Sequence, residues 1–216
     1  MSNSKMSMQN VWGTQETEFL NAIKKTQDHS VLIPLSQNLK SPNAFHFWKE
    51  ADFTLLFHAS IINNLVAVHL LLKSGADPTL ANIRGTNVFM LFAKRGQVQM
   101  AEVSLSQVPE DRREAAVNAT TASGWTALMT AAENGQVEYA RWLLQNGADV
   151  NAQMVGSMWT AGHAAAKRGN VDILELLLQK GANQDLPASH REFGRNLRVA
   201  DVTTDEGVLQ LLQRYA

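Results

Sequence analysis

Gly124-Trp-Thr-Ala-Leu-Met-Thr-Ala-Ala-Glu-Asn-Gly-Gln-Val-Glu-Tyr-Ala-Arg-Trp-Leu-Leu-Gln-Asn-Gly-Ala-Asp-Val-Asn-Ala152 recurs along the chain. Upstream, Thr54-Leu-Leu-Phe-His-Ala59 leads to Leu70-Leu-Leu-Lys-Ser-Gly-Ala-Asp77; downstream, Thr160-Ala-Gly-His-Ala-Ala-Ala166 leads to Leu176-Leu-Leu-Gln-Lys-Gly-Ala-Asn183, with the same internal spacing. A fourth, weaker copy, Gly85-Thr-Asn-Val-Phe-Met-Leu-Phe-Ala-Lys-Arg-Gly-Gln-Val-Gln-Met-Ala101, matches the first part and then loses the Leu-Leu and Gly-Ala pairs. Self-similarity at this period marks a stack of supersecondary units, each unable to bury its apolar face alone.

The chemistry of the unit predicts its shape. Thr caps a first helix, paired Ala residues let neighbouring helices approach, and Gly96, Gly135 and Gly169 end that helix in a left-handed conformation. In the return helix Val137, Ala140, Leu143 and Leu144, and likewise Val171, Leu174, Leu177 and Leu178, recur at i, i+3/i+4 and i+7, so one face is buried against the next unit. Gly147 and Gly181 close those helices.

These anchors resemble the ankyrin repeat family, whose unit reads G-x-T-P-L-H-x-A-A-x-x-G, then a helix ending L-L, then G-A-D-V-N-A. The resemblance covers about residues 50–185 and implies an all-α solenoid of helix-turn-helix repeats joined by hairpin-like finger loops. Four repeats are expected at about 49–81, 82–119, 120–153 and 154–185. Residues 1–48 form an N-terminal segment and helical cap, and 186–216 a C-terminal capping repeat. In the first cap Phe19, Leu20, Ala22 and Ile23, then Val31, Leu32, Ile33 and Leu35, form a degenerate helix pair, with Pro34 permitted only near a helix start or at a kink.

Departures from the pattern carry their own expectations. The family's Pro after Thr is Leu55, Val88, Ala127 and Ala161 here. The Leu beyond it is Gly162 in the last repeat, which leaves a gap or admits a neighbouring side chain. Asn87 to Thr126 spans 39 residues against 33 for Thr54 to Asn87, with Val108-Pro-Glu-Asp-Arg-Arg113 inserted. The insertion reads as a surface loop or, alternatively, as a partner-specific finger.

Composition narrows the function. With 19 Lys plus Arg against 20 Asp plus Glu the net charge is −1, so the global basic excess that grips a phosphate backbone is missing and nucleic acid is not the expected partner. There is no cysteine, which removes disulfides, thiol nucleophiles and thiolate zinc sites. The polar N-terminus and the lack of a run of about 18–20 apolar residues speak against a signal peptide or membrane insertion. The expected location is cytoplasmic, with the nucleus, or the host cytosol for a delivered effector, as alternatives. Six histidines stand far apart without H-E-x-x-H or H-x-x-x-H spacing, and no G-x-S-x-G, G-x-x-x-x-G-K-[S/T] or G-x-G-x-x-G occurs. No enzyme activity, metal or cofactor is expected. His163 falls on the family's T-P-L-H histidine, which implies a structural hydrogen bond to a neighbouring loop.

The expected function is binding of another protein by a monomeric module, through the concave face made of finger tips and first helices. The family resemblance places the variable contact positions just before the capping Thr and at the pair before the mid-repeat Gly. These are Phe53, Trp125 and Trp159, then Lys94 and Arg95, Glu133 and Asn134, and Lys167 and Arg168; the alternative is that the aromatics fold down onto the preceding finger as internal packing and the Lys-Arg pairs complement the helix macrodipole. A partner bringing apolar anchors bordered by acidic groups would suit them. The alternative is a secreted bacterial effector whose stack binds a host protein and whose ends carry another activity. Trp142, one residue before Leu143, is read as packing or convex surface, and Phe47 and Trp48 as a staple for the N-terminal cap.

Overall fold

The computed structural model describes residues 13–43, 46–48, 51–190 and 194–216, with the backbone alone at 46–48, 51–53, 190, 194 and 195. The chain runs through α1 (Thr14–Ile23), α2 (His29–Gln37), β1 (His46–Trp48), β2 (Ala51–Phe53), α3 (Leu55–Ile61), α4 (Leu65–Lys73), α5 (Val88–Arg95) and α6 (Val98–Ser106). It continues through α7 (Glu110–Val117), α8 (Ala127–Glu133), α9 (Val137–Gln145), α10 (Ala161–Arg168) and α11 (Val171–Gln179). It closes with β3 (Ala188–His190), β4 (Gly194–Leu197), a 3-10 turn (Val199–Val202) and α12 (Glu206–Arg214). The result is an all-α solenoid, with β1–β2 and β3–β4 as small antiparallel hairpins.

The repeat chemistry is visible at each helix start. Thr54, Thr126 and Thr160 accept hydrogen bonds from the backbone N–H of Phe57, Met129 and His163 at 3.2, 3.1 and 3.3 Å, and Asn87 does the same for Met90 at 3.2 Å. Each cap satisfies a donor that the first turn leaves without a helical partner. At the far end Gly96 and Gly169 stop α5 and α10 at φ 68° and 69°, and Asn63 takes φ 58° at the equivalent place after α3.

Small residues set the curvature. Ala93, Ala131, Ala132, Ala164 and Ala165 are fully or almost fully buried, and α5, α8 and α10 pack more closely on one another than α6, α9 and α11 do. Larger side chains hold the second helices apart, among them buried Tyr139, Trp142 and Leu143 of α9. Close approach on one side and separation on the other bend the stack, with the first helices on the concave side. Trp142 is therefore a packing residue: its ring stacks on Phe89 at 6.3 Å and lies 5.4 Å from Tyr139. The Tyr139 hydroxyl donates to the Phe89 carbonyl at 2.9 Å, and burial pushes its pKa well above the ordinary value.

Polar clamps join successive repeats along one edge. Asn118 Nδ2 donates to the Gly147 carbonyl (2.7 Å) while its Oδ1 accepts from the Asp149 N–H (2.8 Å). Asn151 repeats this with Gly181 and Asn183, and Asn43 with Gly75 and Asp77. A second row links the finger tips: Ala122 N–H to the Arg84 carbonyl (3.2 Å), Val155 to Ser123 (2.9 Å) and Ser189 to Ser157 (2.7 Å).

Three details differ from or refine the sequence expectations. The 108–113 insertion is neither loop nor finger; it starts α7, with Pro109 at the N-cap and Glu110 and Asp111 in the first turn. Val108 just before α7 and Ala116 and Val117 at its end are buried while 109–112 are exposed, so the insertion forms the outer part of a helix held to the core at both ends. Pro34 lies inside α2, beyond the first turn, and Ser36 Oγ donates to the Ile33 carbonyl at 2.8 Å just before the helix ends. At Gly162 a Val199 methyl stands 3.4 Å from where a Cβ would be, so a neighbouring side chain takes the space of the missing leucine.

Candidate functional site

The finger and first helix of the third and fourth repeats frame an open cleft of about 340 Å³, lined by Trp125, Glu133, Met154, Trp159, Lys167 and Arg168 among others. Five residues expected from sequence thus come together. Each is positioned by the local structure. Trp125 is held at both ends of its finger, its N–H donating to Thr121 Oγ1 at 3.0 Å and its carbonyl accepting from the Thr121 N–H at 3.0 Å. Its indole Nε1 donates to Thr130 Oγ1 at 2.8 Å, which fixes the half-buried ring. Amphipathic aromatics held this way offer contact area at small entropic cost.

Glu133 and Arg168 end α8 and α10, and their side chains meet at 2.6 Å, both partly exposed. Lys167 lies beside them on the cleft wall.

Trp159 corrects an expectation. It occupies the position equivalent to Trp125, but it is only 5% exposed and belongs to the core. The third finger is one residue longer, with Met158 in a left-handed conformation (φ 56°), and the β3 strand is hydrogen-bonded to that finger through Ser189 and Ser157. The Trp159 ring is turned inward, 5.1 Å from the imidazole of His163, and only its edge borders the cleft.

The remaining expected residues are placed elsewhere. Lys94 and Arg95 end α5, one repeat away and outside the cleft lining. The Arg95 guanidinium donates back to the carbonyls of Ser60 and Ile61, which ties it to the preceding repeat. Asn134 is the C-cap of α8 and donates to the Thr130 carbonyl at 2.8 Å. The side chains of Phe53, Phe47 and Trp48 lie outside the described residues.

Met154, Ser157, Ala164 and Ser189 complete the lining and went unrecognised in the sequence. Ala164 holds the variable position between His163 and the Ala165-Ala166 pair, equivalent to Thr130 in the preceding repeat, so the pattern fixes no residue type there. Ser189 comes from the β3–β4 hairpin, which has no counterpart in the repeat and so left no periodic signal.

Beneath the cleft His163 fastens the fourth repeat to the C-terminal end. Its Nε2 faces the Leu197 carbonyl at 3.1 Å and must donate, so in the neutral ring Nδ1 accepts from the Thr160 hydroxyl at 2.8 Å. The structural bond implied by the family pattern is present. Burial lowers the His163 pKa below its ordinary 6.5, opposed by the Leu197 carbonyl and the Asp201 charge. A histidine whose folded pKa is depressed stabilises the fold in full above its unfolded value. That stability is lost as pH falls from about 6.5 through the lower folded value, because the unfolded chain takes up the proton first. Urea midpoints measured downward from neutral pH should therefore fall below pH 6.5, and His163→Gln should flatten that dependence. Parallel curves for both proteins would show that the imidazole is not the titrating group.

Among the described residues no cluster of three or more His, Asp or Glu is arranged to hold a metal ion, and no helix is long and apolar enough to cross a membrane.

Comparison with known proteins agrees with the geometry. Residues 55–154 match the ankyrin repeats description as three copies, and 159–188 match a single ankyrin repeat. The chain is 30% identical to NF-kappa-B inhibitor alpha of Rattus norvegicus over 147 residues, 66% of this chain and 47% of that protein. The Homo sapiens protein of the same name is 29% identical over 147 residues. Alpha-latrocrustotoxin-Lt1a of Latrodectus tredecimguttatus is 41% identical over 91 residues, 42% of this chain and 6% of that protein. The chain spans about half the length of the NF-kappa-B inhibitor alpha proteins it matches. Capped first helices, left-handed stops, a nearest-neighbour stack and matches over most of the repeat region lead to one conclusion: the chain belongs to the ankyrin repeat family and is a protein-binding repeat module.

Proposed function

We propose that the protein acts as a monomer that binds a partner protein on the concave side of the stack, without catalysis, and that the Trp125 cleft is the central contact. The α1–α2 pair at one end and the 186–216 segment at the other serve as caps, and the partner is met in the cytoplasm. The observation that carries this reading is the cleft itself: a fixed half-buried indole, an apolar floor at Ala164 and charged groups at the rim converge on the face where the repeats curve inward. A central apolar anchor inside a polar rim is the usual anatomy of a protein interface. The relatives named as inhibitors of NF-kappa-B fit a stack that works by holding another component.

The test is site-specific photo-cross-linking in the cell of origin. A benzophenone side chain at Lys167, on the cleft wall, should give a discrete cross-linked species, whereas one at Arg141, exposed on α9 on the convex side, should not. Against the protein so captured, Trp125→Ala should cost about 2 kcal/mol of affinity by titration calorimetry while circular dichroism stays unchanged. Cross-linking from Arg141 and not from Lys167 would move the binding surface to the second helices.

A further inference from the structure

The net charge of −1 conceals a division of charge between the two sides of the stack. Among the described residues, the first helices α3, α5, α8 and α10 and the finger tips carry Arg84, Lys94, Arg95, Lys167 and Arg168, with Glu133 as their carboxylate. The second helices α4, α6, α9 and α11 show the reverse, with Glu102, Glu138, Asp172 and Glu175 against Lys73 and Arg141. The concave side is therefore positive. Its one carboxylate is not in a neutral stretch: Glu133 sits in the cleft, 2.6 Å from the Arg168 guanidinium.

Building on the concave-side reading, we propose that the cleft takes a partner segment in which carboxylates flank an apolar side chain. In the free protein Glu133 holds Arg168 in place of the partner's carboxylate. Binding then exchanges one ion pair for another. The apolar side chain enters between Trp125, Met154 and Ala164, and an adjacent carboxylate reaches Arg168 as Glu133 is released toward solvent. Both members of the existing pair are partly exposed, so breaking it costs little, and the positive rim steers acidic segments to the cleft.

A protein segment suits this site better than a nucleic acid. Trp159 is too deeply buried to offer a face for base stacking, and the Glu133 carboxylate on the cleft rim repels a phosphate track that needs several cations in succession.

The experiment is selection of a random peptide library on phage against the whole protein, followed by fluorescence titration of the enriched peptides against variants. Enrichment of Asp or Glu beside Leu or Phe is expected. Glu133→Gln should bind the same peptides about two- to fivefold more tightly, the range that release of an exposed ion pair supports. Arg168→Gln should weaken them several-fold, and Glu138→Gln, a convex-side change, should leave them unaltered. Circular dichroism of each variant checks that the fold persists.

Weaker or unchanged binding by Glu133→Gln overturns the exchange. So does enrichment of basic peptides, a library with nothing above background, or displacement of the peptides by a labelled single-stranded oligonucleotide. Peptides that are lost on Trp125→Ala yet indifferent to Glu133→Gln would sink the carboxylate exchange and leave the concave-side site standing. Peptides indifferent to both would sink the two together.

Discussion

Trp159→Ala is expected to destabilise the protein by about 3–5 kcal/mol, the range for emptying a buried large aromatic site. The ring is almost wholly enclosed, lies against the His163 imidazole and forms part of the continuous core. Removing it leaves a cavity where the third finger meets α10, and the relaxation available is limited because that finger is fastened to both of its neighbours. Urea denaturation followed by circular dichroism should show a large drop in midpoint, and hydrogen exchange should rise first in α10, α11 and α12. Trp125→Ala, in the same repeat position, should lose far less, since its ring is half open to solvent. Equal stability losses in the two variants would mean that the two indoles share one environment and that the longer third finger does not turn Trp159 inward.

Gly124→Ala and Gly181→Ala form a second pair with a large difference expected between them. Both glycines have a positive φ, 80° and 87°, so either substitution carries the backbone penalty of about 1–2 kcal/mol for an L residue in that region. Their surroundings differ. A Cβ at Gly181 meets nothing within 4 Å, whereas at Gly124 it would lie 2.8 Å from the backbone nitrogen of Val155 and 3.0 Å from the Met154 Cα. The obstacle is backbone, so the next finger must shift and strain its tip bond to Ser123. Forced displacement of this kind adds about 1–3 kcal/mol, and the Gly124 variant should lose about 2–5 kcal/mol in total. Chemical denaturation of the two variants side by side reads the difference directly. Matching midpoints would show that the two fingers do not lie in close register.

Local chemistry that repeats was legible in the sequence. A capping Thr, a left-handed stop and a Leu-Leu return helix each require particular residue types at fixed spacing, and the His163 bond followed from its place in that pattern. Features that occur once were harder to read. The α7 helix is strongly polar over Glu110–Glu114 and interrupts the period, so it passed for a loop. Its Pro-Glu-Asp start followed by Ala-Ala-Val nevertheless carries the signals of a helix that begins with acids and ends against a core. Repeat position favoured the concave direction for Trp159 without excluding packing onto the finger. One added residue, Met158, and a hairpin from beyond the repeats reversed it, and neither has a periodic signature. The cleft was half legible for the same reason: residues supplied by the repeat were found, and Ser189, supplied by the hairpin, was not.

The inserted α7 changes how one step of the stack is closed. It occupies the return path between α6 and the next finger, and α6 and α9 touch less than any other successive pair of second helices. The inner seam at the same step is well fastened, by α5 against α8, by the Ala122–Arg84 tip bond and by the Tyr139 hydroxyl reaching across to Phe89. The thinnest seam between second helices thus lies at the step from repeat two to repeat three, and there α7 and the Asn118 clamp on Gly147 and Asp149 close the outer side in place of direct helix contact. The cleft is built from repeats three and four and the β3–β4 hairpin, so it does not span that seam, and a change confined to α7 leaves every residue that lines it in place.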